Sequence, residues 1–283
     1  MLKSLLAKLR TLDWLLIMPV IFLVCLSLAE LYSIGLGQAA GDLSYFKKQL
    51  IFAIIGLFLL FFLAWQDYYF LYSYSNIIYV FGLVVLIAVL IFGGTINGTK
   101  GWFSLFGFGI QPVELVKYIL VVFLSRYLAG ASTRTNPLKN LLSTGLATAL
   151  LAGLVMLQPD FGSALLLVFI WLFALFISGL PKRFFMVLLF IIVIGASLAW
   201  QFFLVDYQKQ RITAFLNPSS QLSSNYNINQ AIIAVGAGGL FGRGLGFGSQ
   251  SQLKFLPEAK TDFILAVIAE ELGSGGVRLT SSL

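Results

Sequence analysis

Residues 14–33 read WLLIMPVIFLVCLSLAELYS, an apolar run broken by a single charge, Glu30. A helix rises about 1.5 Å per residue and the hydrocarbon core of a bilayer is about 30 Å thick, so roughly 20 apolar residues cross it. The run has that length. It follows the basic head Met1–Arg10 and lacks the short apolar core and small-residue cleavage site of a signal peptide, so it reads as a retained first membrane helix. Similar runs lie at about Gln49–Trp65, Tyr72–Phe92, Val113–Ala129, Leu141–Leu157, Ser163–Ser178, Phe184–Leu204 and Phe263–Leu272. The last is too short to cross. The expected fold is therefore an all-α polytopic membrane protein, with residues 1–283 forming one integral membrane domain of seven full spans and a truncated eighth.

Composition agrees. Of the 283 residues 59% are hydrophobic and 10% charged, against about 25% charged in soluble domains. There is no His, and the one Cys, Cys25, sits in an apolar run. These absences exclude a disulfide, a zinc cluster, a Cys/His dyad and a Ser-His-Asp triad. Chemistry then falls to carboxylates, Lys, Arg, hydroxyls or a hard metal ion. The net charge is +7, but the cations are scattered among apolar runs. They read as topology signals and contacts to anionic membrane lipids, not as a nucleic-acid face. A cytoplasmic N-terminus puts Lys3, Lys8, Arg10, Arg126, Arg134, Lys139, Lys182 and Arg183 inside, against Lys47, Lys48 and Lys100 outside. That bias sets the expected orientation. Residues 205–261 become a large extracytoplasmic loop, Gly-rich but with enough apolar residues to fold against the mouth of the bundle.

Most acidic residues, including Glu30, Asp42, Glu270 and Glu271, fall near expected helix ends or flank loops. Four stretches stand out. Glu114 and Lys117 are three residues apart and share a helix face, as a clamp between helices or as the polar floor of an outward-facing cavity. Gln158-Pro159-Asp160-Phe161-Gly162 breaks an apolar stretch into a hairpin, with Asp160 either capping the next helix or meeting substrate. Arg243 lies in Gly242-Arg243-Gly244-Leu245-Gly246-Phe247-Gly248, which lacks the ending of a Walker A motif. This stretch is either a backbone cradle for a pyrophosphate or a flexible loop. Asp262, entering the last apolar run, either caps that helix or stands at the outer face as a carboxylate fit for base catalysis.

Several stretches together resemble the SEDS family (shape, elongation, division and sporulation). They are Gly98-Thr99-Lys100-Gly101-Trp102, Gln111-Pro112-Val113-Glu114-Leu115-Val116-Lys117, Gln158-Pro159-Asp160-Phe161-Gly162-Ser163-Ala164, and the long stretch from Tyr226 through Gly238–Gly244 to Phe255–Ile264. Ser249–Phe255 is more similar to the RodA branch than to the FtsW branch. The resemblance implies a SEDS-type helical bundle, with about eight of an expected ten transmembrane helices present. It implies a peptidoglycan glycosyltransferase that polymerises lipid II at the outer face of the bacterial cytoplasmic membrane, for cell wall synthesis and cell shape or division. A class B penicillin-binding protein as partner and a divalent cation, Mg or Mn, are implied as well.

By the same resemblance Asp262 matches the essential carboxylate, and Glu114 and Lys117 the polar pair of a central cavity. Lys48, Lys117 and Arg243 become candidate cations for the departing pyrophosphate, Gln111 and Asp160 candidate substrate contacts, and Asp262 and Glu114 candidate metal ligands. The chain departs from the family pattern at Val113, Lys48 and Lys260. It departs again after Gly273, where polar residues 274–283 stand in place of further apolar sequence. Two competing expectations are a lipid II flippase and a non-catalytic scaffold for the penicillin-binding protein. The notable charges cluster toward the outer side, which favours the polymerase.

Overall fold

The computed structural model describes residues 12–36, 42–96, 98–105, 108–130, 137–179, 181–198, 200–201, 209, 226–253, 255–256 and 259–282. Three helices open the chain: α1 (Trp14–Leu36), α2 (Ser44–Trp65) and α3 (Tyr68–Phe92). Each follows an aspartate that accepts the N–H two residues on: Asp13 from Leu15, Asp42 from Ser44 and Asp67 from Tyr69, all at 3.0 Å. A carboxylate there satisfies a donor that has no partner in the helix and opposes the positive end of its dipole.

After α3 comes a small antiparallel sheet that the sequence reading did not foresee. Its strands β1 (Gly94–Ile96), β2 (Thr99–Leu105) and β3 (Phe108–Ile110) pair in chain order. Helices α4 (Pro112–Gly130), α5 (Pro137–Met156), α6 (Phe161–Ile177) and α7 (Lys182–Leu198) follow. Then come α8 (Tyr226–Gly238), the single turn α9 (Ser249–Gln252) and α10 (Ile264–Ser282).

In its described residues each of the eight apolar runs carries a helix, the seventh as far as Leu198. Among the described residues four helices are long and apolar enough to cross a membrane: Trp14–Leu36, Ser44–Trp65, Tyr69–Phe92 and Pro137–Met156. Helix α4 is long enough but carries Glu114, Lys117 and Arg126. Helix α2 buries no residue, and Ile54, Phe58 and Leu63 on it stand exposed. Apolar surface of this extent suits lipid, not water.

The last run does not end at Leu272 as expected. Helix α10 continues to Ser282 across a break at Gly273, whose φ is 73°. Ser274 and Gly275 would normally donate to the carbonyls of Glu270 and Glu271. Instead they donate to Gly239 O at 2.9 Å and Leu240 O at 3.4 Å, while Arg243 and Gly244 N–H groups take over the two freed carbonyls at 3.0 and 2.9 Å. The Gly-rich loop is thus bonded, backbone to backbone, into the break of α10.

The chain divides into two compact units, Gln66–Phe203 and the discontinuous pair Met1–Trp65 with Leu204–Leu283. In the continuous unit α3, α4, α5 and α6 pack around Leu86, Leu120, Leu124, Leu151, Leu167 and Leu175, none of which is exposed. Two of the polar groups inside it are paired thus: Tyr79 Oη donates to Ala147 O at 2.8 Å and Trp171 Nε1 to Thr144 Oγ1 at 2.9 Å. In the discontinuous unit α1 packs on α2 and α10, and α8 on α10, around Ile34, Ala234, Leu256, Ala259, Ala266 and Val267. The described part of residues 205–261 is therefore folded, with α10 as its support.

Candidate functional site

In the continuous unit the broken hairpin turn places Asp160 at the head of α6, and Pro112 starts α4 beside Gln111. Asp160 caps α6: its Oδ1 accepts from Ser163 N at 3.0 Å and its Oδ2 from Ser163 Oγ at 2.7 Å. Gln111 Nε2 donates to the same Oδ2 at 3.1 Å, tying the entries of α4 and α6 together. One turn along α4, Lys117 Nζ pairs with Glu114 Oε2 at 2.7 Å, Lys117 being mostly covered and Glu114 more than half exposed. The three-residue spacing produces this pair directly.

The flanking motif residues hold the frame. Gln158 is buried, its Nε2 donating to Leu86 O at 3.3 Å while its carbonyl accepts from Lys100 N at 3.3 Å. A side chain at Gly101 would press on Gln158 Oε1, 3.2 Å away, which accounts for glycine there.

In the discontinuous unit Asp262 lies on the turn into α10, with its side chain exposed. Among the described residues it takes part in no hydrogen bond or ion pair, so it is not serving as a cap. Lys260, two residues earlier, lies 4.6 Å above the Tyr45 ring and 4.0 Å from Asp42 Oδ2. These contacts bring the Asp262 turn to the head of α2, where exposed Lys48 is one turn beyond Ser44. Hydrogen bonds from Ser44, side chain and then backbone, hold the Asp42 carboxyl below its ordinary value of 3.8. Pro257 and Glu258 of the same motif lie outside the described residues.

Arg243 is exposed, with Nε on Ala237 O at 3.2 Å and Nη1 on Ser249 Oγ at 2.8 Å. The backbone cradle expected around it is already occupied. Arg243, Gly244 and Gly246 N–H groups bond to Glu270 O, Glu271 O and Glu271 Oε2. The glycines let the loop lie flat against α10, because a Cβ at Gly238 would collide with Ala269 O and one at Gly242 with Glu271 O. The loop is a packed clasp, and only the Arg243 side chain is left to meet an anion.

Sequence reading missed the acidic residues that matter most to this clasp. Glu270 and Glu271, read as lying near helix ends, and Glu30, read as flanking a loop, are all buried. Glu270 accepts from Gln250 N at 2.8 Å and Ser251 N at 3.1 Å, at the start of α9. Among the described residues no three Asp, Glu, His or Cys side chains gather where they could hold a metal. Magnesium, however, commonly uses one or two protein carboxylates plus phosphate oxygens of the substrate. Asp262, exposed and unengaged, fits that pattern better than Glu114, whose Oε2 is spent on Lys117.

Long apolar helices, an exposed apolar surface and charged groups gathered at helix ends define a multi-pass membrane protein. The chain belongs to the FtsW/RodA/SpoVE cell cycle protein family, whose pattern matches residues 7–283. It is 38% identical over 243 residues to the probable peptidoglycan glycosyltransferase FtsW of Coxiella burnetii, covering 84% of this chain and 64% of that protein. It is 34% identical over 270 residues to the peptidoglycan glycosyltransferase MrdB of Escherichia coli K12, covering 94% of this chain and 72% of that one. Its fold is similar to a chain of a solved peptidoglycan synthase complex that coordinates polymerization and crosslinking. That match has a TM-score of 0.74 at 28% identity and covers 96% of this chain and 74% of the other.

Proposed function

We propose that this chain is a peptidoglycan glycosyltransferase that polymerises lipid II at the outer face of the bacterial cytoplasmic membrane, with its N-terminus cytoplasmic. Asp262 carries the reading. Asp13, Asp42, Asp67 and Asp160 cap helices, Glu114 pairs with Lys117, and Glu270 and Glu271 serve the clasp. Asp262 alone among the described carboxylates is exposed and unengaged, as a base waiting for substrate must be.

Lipid II carries its sugar through an α-linked pyrophosphate and the glycan is β-linked, so one displacement with inversion suffices. The acceptor's 4-hydroxyl oxygen attacks the donor's anomeric carbon, and the bond to the lipid pyrophosphate breaks with its electron pair. Asp262 takes the hydroxyl proton. Lys48 and Arg243, in the same unit as Asp262, supply positive charge for the leaving group; in the continuous unit Glu114 orients Lys117, and Gln111 and Asp160 hold the helix entries on which that pair stands. Mg2+ or Mn2+, held by Asp262 or Glu114 with pyrophosphate oxygens, would neutralise that leaving group. A class B penicillin-binding protein is the partner proposed, in keeping with the synthase complex whose fold this chain shares.

The test is lipid II polymerisation by the purified chain with the divalent cation and its cognate transpeptidase, read as a glycan ladder. Loss of a general base costs about 10²–10⁴-fold, so Asp262→Asn should lose the ladder while keeping the parental unfolding midpoint. An Asp262→Asn protein that polymerises at the parental rate refutes the assignment.

A further inference from the structure

Among the described residues of the discontinuous unit three acidic side chains are buried, and their partners differ. Glu270 is satisfied by the first N–H groups of α9. Glu271 Oε2 accepts from Ser33 Oγ at 2.9 Å and Gly246 N at 2.8 Å, but its Oε1 has only longer contacts, 3.2 Å from Gln252 Nε2 and 3.4 Å from Ser251 Oγ. Glu30, one turn before Ser33 on α1, is 0% exposed and lies against Glu271. No donor reaches either of its oxygens. Gln252 turns its amide nitrogen to Ser33 and Glu271, and its Oε1 is likewise buried without a donor. Nε2 faces Ser33 O, Glu271 Oε1 and a Ser33 hydroxyl whose hydrogen is spent on Glu271 Oε2, so reversing the amide would set its oxygen against acceptors and relieve nothing.

What is left over is thus all of one kind, oxygen acceptors. Two carboxylates side by side away from water repel each other and have lost their hydration. A shared proton would turn one Glu30 oxygen into a donor but leave the other, and Gln252 Oε1, with nothing. A cation accepts oxygen ligands from several directions at once. Carboxylate and amide oxygens without nitrogen or sulfur are the ligand set of a hard cation, and two carboxylates balance a double charge.

We propose that Glu30, Glu271 and the amide oxygen of Gln252 bind a hard divalent cation that fastens α1 to α10 and α9. Glu271 lies about two turns into α10, away from Asp262 at its head, so this site is additional to any cation of the transfer reaction and does not rest on that reading.

The full-length chain, purified in detergent and stripped with a chelator, is re-equilibrated with CaCl2, MgCl2 or MnCl2 at constant ionic strength. Bound metal after desalting and the thermal unfolding midpoint are then measured. A cation that binds only the folded state raises the midpoint with concentration. The parent and Asp262→Asn should both retain a divalent cation and show a rise of several degrees. Glu30→Gln, which keeps the shape but removes the charge, should lose both responses. Glu30→Asp, which keeps the charge but shortens the reach, should bind at least tenfold more weakly. The proposal is overturned if the parent neither retains a cation nor responds to one, or if Glu30→Gln binds as the parent does. It is equally overturned if Asp262→Asn abolishes all binding. Should Glu30→Gln not fold, the parent and Glu30→Asp decide by the same criteria.

Discussion

Replacing Gly242 by Ala tests the clasp that joins the Gly-rich loop to the break in α10. Gly242 has φ 76°, in the left-handed region, which costs a residue with a Cβ about 1–2 kcal/mol. The new methyl would collide with Glu271 O and stand 2.6 Å from Gly273 N, both backbone atoms that cannot swing aside. Overpacking of this kind costs about 1–3 kcal/mol. If the loop backs away, the bonds from Arg243 N and Gly244 N to the freed carbonyls are strained or lost, at about 1 kcal/mol each. Relaxation trades the second cost against the third, so the expected loss is about 2–4 kcal/mol. At roughly 2–4 °C per kcal/mol for domains of 150–250 residues, the midpoint in detergent should fall by about 10 °C. Gly56→Ala is the control: it lies inside α2, has nothing within 4 Å of its Cβ position, and should be neutral or stabilising by up to about 1 kcal/mol. A Gly242→Ala midpoint within a degree of the parent's would refute the reasoning, as would an equal fall in Gly56→Ala.

Asp160→Ala removes the α6 cap and the Gln111 contact and should cost about 1–2 kcal/mol by thermal unfolding, with Asp160→Asn restoring most of it. Glu114→Gln breaks the pair with Lys117, but Glu114 is largely exposed, so stability should change by less than about 1 kcal/mol while the glycan ladder weakens. Leu151→Ala opens a cavity at a position with no exposure and should cost about 2–5 kcal/mol, measured the same way. The Asp42 carboxyl is held below 3.8, so its capping contribution is complete above that value and lost as pH falls through the lower folded-state value. The parent's midpoint should therefore drop more than that of Asp42→Asn as pH falls below about 4.

Features set by local spacing were legible in the sequence. Apolar length alone located eight of the ten helices, the three-residue interval predicted the Glu114–Lys117 pair, and Asp160 before Phe161-Gly162-Ser163 is a cap by residue type. Features that depend on a distant partner were not. The strands at 94–110 are too short and too rich in glycine for alternation to register. The glycines of 238–248 read as a phosphate cradle or a flexible loop because their actual partner, the backbone of Glu270 and Glu271, is more than twenty residues away. Glu30 looked like an interfacial residue at a helix end because nothing in its neighbourhood announces Glu271 across 241 positions. Helix α10 extends past Gly273 because the clasp supplies bonds to the broken turn, and polarity of residues 274–282 says nothing of that.

The arrangement within the continuous unit also separates a polymerase from a carrier. Gln111, Glu114, Lys117, Asp160 and Ser163 sit within the first turns of α4 and α6. One turn further along each helix the groups facing inward are Leu120, Leu124 and Leu167, with no exposure. Toward the other ends of α4 and α6 lies a cavity of about 480 Å³, lined by Val121, Leu128, Ile170, Ala174 and Ile177 with two serines, Ser125 and Ser178. A pyrophosphate drawn through this unit would need donors or cations at each depth to replace its water. Beyond the first turns the inward-facing residues of α4 are close-packed leucines, and deeper polar groups such as Tyr79, Trp171 and Arg126 are engaged with Ala147 O, Thr144 and Ser75. That gradient suits a headgroup held at one membrane face while its lipid stays in the bilayer, as glycan transfer requires.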